Sequence, residues 1–266
     1  MKLIFHADLD NTLIYSYKRE IGRNKICVER YQGRDISYMS RSSWELLRAV
    51  REKVTVVPTT TRTQEQYERI DLGIGVPEYA LICNGGVLLE NGREDRSWYE
   101  ESMELISGSR GEYERARRLL EADRDRCFEL RSIRELFLFT KSGQPEKTLQ
   151  RLRDALDPAR MEAFQNGSKI YAVPAGLDKG TAVRRFRSRM KDSFVIAAGD
   201  SGFDVPMLCE ADAALMPEEL RPAVEKALLQ NGASAGTLWE KERTKPGERL
   251  FSDRVLEYVR ATAFCI

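Results

Sequence analysis

Short apolar runs recur along the chain, and each gives way abruptly to polar residues. Leu3-Ile4-Phe5, Val54-Thr55-Val56-Val57 and Phe194-Val195-Ile196-Ala197-Ala198 have the length and apolar content of buried strands. Elsewhere the period changes. Asp178 precedes a segment whose apolar positions Ala182, Val183, Phe186 and Met190 share one helical face, so it reads as an N-cap and Lys179 as a first-turn residue. A short helix through Met207 and Leu208, a strand at Ala213 to Met216, a helix from Pro217 to Gln230 and a last one from Val255 to Ala261 follow. This alternation predicts an α/β fold built on a doubly wound, Rossmann-like parallel sheet.

The polar residues that end these runs are chemically alike. Asp8-Leu9-Asp10-Asn11-Thr12 follows the first, Thr59-Thr60-Thr61 the second and Gly199-Asp200-Ser201-Gly202-Phe203-Asp204 the third. Side chains two apart on extended backbone point the same way, so Asp8 and Asp10 are expected to face one small volume. There they raise each other's pKa unless a cation sits between them or one acid keeps its proton. Loops after the carboxyl ends of parallel strands converge on one crevice, where these clusters are expected to meet. Lys179 in a first turn opposes the helix dipole, which argues for a role other than stabilising its helix.

Residues 60 and 179 are separated by roughly 120 positions, whereas a strand-helix-strand unit takes about 30. A domain is therefore inserted between them. Asn84-Gly85-Gly86, Asn91-Gly92 and Asn166-Gly167 mark tight turns between strand-like runs. Glu112 to Arg126 has a helical stripe of Tyr113, Ala116, Leu119 and Leu120, followed by a strand at Leu136 to Thr140, a helix at Pro145 to Leu156 and strands at Met161 to Gln165 and Lys169 to Val173. This reads as an α+β cap over 87–172, leaving 1–86 and 173–266 as the core. Residues 13–40 exceed an ordinary connection. Leu13 to Arg19 and Lys25 to Tyr31, either side of Gly22-Arg23-Asn24, read as a hairpin beside the first cluster, placed to gate a site, to recognise substrate or to pack on the cap.

The ordered set of clusters resembles the haloacid-dehalogenase (HAD) superfamily of magnesium-dependent phosphatases. Asp8 and Asp10 match its first motif, Thr60 the second, Lys179 the third, and Asp200 with Asp204 the fourth. The place and size of the insertion resemble the Cof-type and sucrose-phosphatase-like branch. That resemblance implies Mg²⁺ at Asp8, the Asp10 backbone carbonyl and Asp200, with Asp204 beside them as a further metal-site residue or as the partner of Lys179. It also implies an aspartyl phosphate on Asp8, Asp10 as general acid and then base, and Lys179 and Thr60 as donors to the phosphoryl oxygens. Asn11 stands where the family usually has glycine, and Phe203 where this branch usually has asparagine. The run Thr59-Thr60-Thr61-Arg62 replaces Thr-Gly-Arg; counting back from Arg62 selects Thr60, with Thr59 and Thr61 as alternatives. Asn84, Arg62, Arg41 and Tyr15, with Tyr17 and Arg19, are the candidate substrate contacts.

Composition narrows the partners. Forty-three basic residues against forty-two acidic ones leave a net charge of +1, without the electrostatic footprint of a nucleic-acid or anionic-membrane binder. His6 is the single histidine, which excludes histidine-based triads and multi-histidine metal sites. Five scattered cysteines without a Cys-x-x-Cys pair, together with the absence of an apolar leader or span, point to a reduced, cytoplasmic setting. No P-loop and no complete dinucleotide fingerprint occurs. The expected activity is Mg²⁺-dependent hydrolysis of a small phosphorylated metabolite, a sugar phosphate or similar. The alternatives are a phosphomutase or phosphotransferase on sugar phosphates, or a non-catalytic module that binds a phospho-ligand.

Overall fold

The structure, a computed structural model, describes residues 2–230, 237–239 and 249–265. Two compact units divide the chain: one comprises the residues up to Asp95 and those from Asp178 onward, and the other runs from Arg96 to Leu177. Strands and helices are numbered in chain order.

The first core segment contains β1 (Lys2–Ala7), β2 (Tyr15–Ser16), β3 (Lys25–Tyr31), β4 (Arg34–Ser40), α1 (Arg41–Arg51), β5 (Thr55–Pro58), α2 (Gln64–Tyr67), β6 (Tyr79–Ile82), β7 (Val87–Glu90) and β8 (Arg93–Glu94). The expected hairpin between 13–19 and 25–31 is not formed. β3 pairs instead with β4, which also pairs with β2, giving the order β2-β4-β3. The tight turn is Gln32-Gly33, both residues at positive φ, a hairpin conformation that needs a glycine but here lacks the usual asparagine before it.

The insertion contains α3 (Arg96–Leu105), α4 (Arg110–Glu121), β9 (Arg131–Ile133), β10 (Phe137–Lys141), α5 (Pro145–Ala155), β11 (Met161–Asn166) and β12 (Lys169–Pro174). Its antiparallel sheet, ordered β11-β12-β10-β9, packs Leu138, Ile170 and Ala172 against Tyr113, Ala116, Leu120 and Leu152 of α4 and α5. The α4 helix stops five residues before the expected Arg126, because the Asp123 carboxylate accepts the Asp125 N–H and turns the chain. The units divide at Asp95 and Leu177 rather than at 86 and 172. Val87–Glu90 is hydrogen-bonded to Tyr79–Ile82 on the core side, while Val173 and Pro174 are paired with Glu162 and Met161 inside the insertion.

The chain returns through α6 (Lys179–Arg189), β13 (Ser193–Ala198), α7 (Val205–Cys209), β14 (Ala213–Leu215), α8 (Arg221–Gln230), β15 (Thr237–Trp239) and α9 (Phe251–Cys265). Among the described residues, one parallel sheet has the order β15-β14-β13-β1-β5. The inner strands β1, β13 and β14 are largely apolar because both of their faces are covered. Leu3, Phe5, Ile196 and Ala198 pack with Leu47, Val50, Leu256 and Val259 of α1 and α9, whereas Val195 and Ala197 meet Val183, Leu208 and Val224 of α6, α7 and α8. Helices on both faces make the sheet doubly wound, as expected. No helix among the described residues is long and apolar enough to cross a membrane.

Candidate active site

The two central strands, β1 and β13, run in register from Lys2 opposite Ser193 to Ala7 opposite Ala198. They therefore end together, and the Asp8 N–H continues the ladder to the Ala198 carbonyl at 2.9 Å. This places the Asp8 loop beside the Gly199–Asp204 loop. Ligand oxygens from Asp8, Asp200 and Asp204 lie within 4.8 Å of one another.

Lys179 enters the same volume from the first turn of α6, whose N-cap is Asp178, its carboxylate accepting the Thr181 N–H at 2.8 Å. The ammonium donates to Asp8 Oδ1 at 2.5 Å and to Asp204 Oδ1 at 2.6 Å, with the lysine only 1% exposed. Gly180 permits this approach, since a Cβ there would lie 2.5 Å from the Pro206 carbonyl oxygen. Gly180→Ala is therefore expected to destabilise the protein by about 1–3 kcal/mol, read as a lower urea midpoint; an unchanged midpoint would show that the α6–α7 contact yields freely.

Asp204 is fully buried, and its other oxygen accepts the Asp200 and Ser201 N–H groups and the Ser201 hydroxyl at 2.8–3.1 Å. Both carboxylate oxygens are thus engaged, one by the lysine and one by the loop that carries Asp200. Three carboxylates face one ammonium, and the imbalance is visible in the acidities of Asp8 and Asp200. Burial raises the Asp8 carboxyl well above its usual range against the pull of Lys179, and Asp204, Asp200 and Asp10 push it further. Burial, with Asp204 and Asp10, pushes Asp200 up to about 7. Burial opposes the Lys179 charge, but Asp204 and Asp8 outweigh it and keep the ammonium protonated. Residual negative charge on hard oxygen donors fits a divalent cation such as Mg²⁺.

Asp10 bears on Asp8 as expected, raising its pKa, but β1 ends at Ala7, so the two residues do not lie on one extended strand. The exposed Asp10 carboxylate is held edge-on by Arg62, Nε and Nη2 each donating at 2.8 Å. The third guanidinium nitrogen donates to Glu29 at 2.9 Å. Sequence reasoning missed Glu29. Strand alternation gives no warning of it, because the β3–β4 register shifts on both sides of this residue and buries Val28 and Glu29 in succession.

Of the three threonines, Thr59 uses its hydroxyl on the Val57 carbonyl at 3.1 Å and lies 3.0 Å from His6 Nδ1. Burial lowers the His6 pKa to about 3 and so keeps the ring neutral. Thr60 is buried; its Oγ1 accepts the Arg62 N–H at 3.2 Å, and its backbone is tied to Leu81 and Asn84. Asn84 is buried beside this loop with φ 60°, and Gly85 lets the turn press on α6, where a Cβ would meet Ala182 at 2.3 Å.

Two candidate substrate contacts are turned elsewhere. Tyr15 is fully buried, its hydroxyl accepting the Ser252 N–H at 3.1 Å. Arg41 donates to Asn24 and faces Glu45. Both read from the sequence as polar groups near the site, but the β2-β4-β3 sheet buries the first and ties the second to the Asn24 turn. Arg19 lies 4.9 Å over the Tyr15 ring and donates to Asn11 at 3.4 Å, and Tyr17 is exposed.

A parallel sheet that collects these aspartates at adjacent strand ends, in a chain interrupted by an α+β unit, is similar in fold to solved phosphatases, one of them an HAD-superfamily phosphatase. Sucrose-phosphatase from Synechocystis, solved with sucrose and phosphate, matches over 99% of each chain at 16% identity with a TM-score of 0.64. An HAD-superfamily phosphatase from Bacteroides thetaiotaomicron matches over all of this chain and 96% of its own at 16% identity, with a TM-score of 0.55. An IMP-nucleotidase from Plasmodium falciparum, solved with IMP bound, matches over 86% of this chain and 68% of its own at 12% identity, also with a TM-score of 0.55. No family model and no curated protein matches the sequence.

Proposed function

We propose that the protein is a Mg²⁺-dependent phosphomonoester hydrolase acting on a small phosphorylated metabolite through an aspartyl phosphate. The observation that carries this reading is the buried Asp8 carboxylate, with one oxygen on Lys179 and the Asp200 carboxylate beside it. Neighbours of similar fold, solved with sucrose and phosphate or with IMP bound, support a phosphorylated small molecule as substrate, and their difference leaves its identity open.

In this reading Asp8 attacks phosphorus in line, forming the Asp8–phosphorus bond as the bond to the leaving oxygen breaks. Asp10, once released by Arg62 and protonated from solvent, gives that proton to the leaving oxygen. Water then attacks the aspartyl phosphate, Asp10 takes a proton from it, and Asp8 is released. Lys179 stabilises the charge on the equatorial oxygens. Thr60 is the threonine better placed to join it, because its hydroxyl accepts from Arg62 and so keeps its own proton to donate, whereas the Thr59 proton is already used on Val57. Mg²⁺, held by Asp8 and Asp200 with Asp10 contributing its carbonyl, would screen the incoming phosphoryl charge. Asp204 serves this site through Lys179 and the Asp200 loop.

Inorganic phosphate release across a panel of phosphorylated metabolites with Mg²⁺ and no acceptor tests the reading. Transfer that occurs only when a sugar acceptor is supplied would replace hydrolase by phosphotransferase.

The metal assignment also has a signature independent of turnover. Because the Asp200 pKa is raised from 3.8 to about 7, the folded state holds a proton that the unfolded chain releases. Metal-free protein should therefore lose stability as pH rises across that window, and Mg²⁺ should stabilise it more at pH 8 than at pH 5.5. In Asp200→Asn the Mg²⁺ requirement should rise and this pH dependence flatten. Thermal unfolding with Mg²⁺ alone measures both, and a wild-type Tm indifferent to the ion at pH 8 would count against Asp200 as a ligand.

A further inference from the structure

Asp10 cannot serve a leaving group while both its oxygens are gripped by Arg62, so something must make that grip releasable. We infer that Glu29 is a positioning residue for Asp10, acting through Arg62; the inference rests on the hydrolase reading above and on the following geometry.

The Glu29, Arg62 and Asp10 side chains form a graded chain of charge. The Glu29 side chain is 2% exposed, Arg62 13% and Asp10 53%. The buried end is anchored by three donors: Ser37 Oγ at 2.6 Å, Arg62 Nη1 at 2.9 Å and Arg69 Nη2 at 3.4 Å, with Arg69 itself stacked 4.3 Å over the Tyr31 ring. Arg62 is steadied further by the Gln66 carbonyl at 3.4 Å. The exposed end is a bidentate pair. A clamp fixed at one end and open to solvent at the other releases from the open end.

Glu29 sets the cost of that release. When Asp10 swings to the leaving oxygen, Arg62 is largely buried and would be stranded without a counter-charge, which is strongly unfavourable. Glu29 remains on Nη1 and supplies it. Removing the Glu29 charge makes Asp10 the sole full partner of Arg62 and closes the clamp. The step affected is proton delivery, so the penalty should track how much help the leaving group needs. An alkyl phosphate leaves as a poor alkoxide and needs the acid; p-nitrophenyl phosphate does not.

The test compares kcat for an alkyl phosphate with kcat for p-nitrophenyl phosphate, in Mg²⁺, for the wild type, Glu29→Gln, Arg62→Ala and the double variant. Glu29→Gln should lower the alkyl-to-aryl ratio about tenfold, and in the Arg62→Ala background it should leave the ratio unchanged. Ser37→Ala, which loosens the hairpin but keeps the charge, should not move it. A ratio that falls equally with and without Arg62, or falls as far in Ser37→Ala, would overturn the inference in favour of a purely structural glutamate. Urea unfolding of Glu29→Gln, Asp10→Asn and their combination provides a readout without turnover. The two residues share Arg62, so their effects should be non-additive, and strict additivity would overturn the link. A wild type that releases phosphate from neither ester nor from any phosphorylated metabolite of the panel would refute the hydrolase reading, while the unfolding cycle still decides the link between Glu29 and Asp10.

Discussion

Asp8→Asn is expected to abolish phosphate release, by at least ~10⁴-fold, in line with the loss of other covalent nucleophiles, while the protein stays folded. An amide oxygen neither attacks phosphorus nor offers a metal the charge of a carboxylate. The fold should tolerate the change because burial already raises the Asp8 carboxyl well above its ordinary range, so little is lost with its charge, and Lys179 keeps Asp204 as partner. Phosphate release and urea unfolding measured on one preparation separate the two effects. Beryllium fluoride with Mg²⁺ should form its adduct on Asp8 in the wild type. Substantial activity in the variant, or an adduct on a different carboxylate, would remove Asp8 from the nucleophile's role.

Lys179→Met should be the most damaging substitution for stability. The lysine is buried and bonded to two carboxylates that are themselves 0–6% exposed. A thioether in its place leaves Asp8, Asp200 and Asp204 facing one another without the ammonium. Breaking a buried pair in this way costs about 3–5 kcal/mol, and kcat should fall by at least ~10²-fold from loss of the transition-state donor. The stability defect carries its own pH signature. With the cation gone, the carboxyls hold protons more tightly in the folded state, so the deficit relative to wild type should be largest at pH 8 and shrink towards pH 5. Metal-free urea titrations at both pH values measure this. A variant as stable as wild type at pH 8 would mean that the carboxylates find another partner once the lysine is gone.

The residues gathered at the strand ends were legible because they depend on topology alone. Asp8, Thr60 and Asp200 each follow an apolar run, and parallel strands in register bring such positions together whatever lies between them in sequence. Asp178 and Lys179 were legible from a local capping rule that the structure obeys. Asn91-Gly92 and Asn166-Gly167 announced their hairpins, which form at β7–β8 and β11–β12. Side-chain direction beyond the strand ends was not legible. That Asp10 is held by Arg62 depends on a guanidinium 52 residues away, and no periodicity encodes it. The sheet of β2, β3 and β4 was misread for a related reason. Gly22-Arg23-Asn24 looked like the stronger turn, yet the turn that forms is Gln32-Gly33, selected by pairing with a second strand rather than by local preference. Glu29 stayed hidden because a register shift, which only the partner strand reveals, turns it inwards.

The central position of β1 also bears on how the molecule is made. Its neighbour β13 lies about 190 residues downstream, and that pairing carries a large loop-closure cost. During synthesis from the N-terminus, the strand that leads to Asp8 therefore waits for its neighbour until nearly three quarters of the chain has emerged. The insertion does not wait, since its hydrophobic cluster draws only on residues between Tyr113 and Ala172 and its sheet is paired within itself. It is thus suited to fold first, before the later strands of the core exist. A half-built chain would carry β1 paired with β5 on one edge only and an Asp8 without its lysine, so arrest before residue 198 should leave a product prone to aggregation.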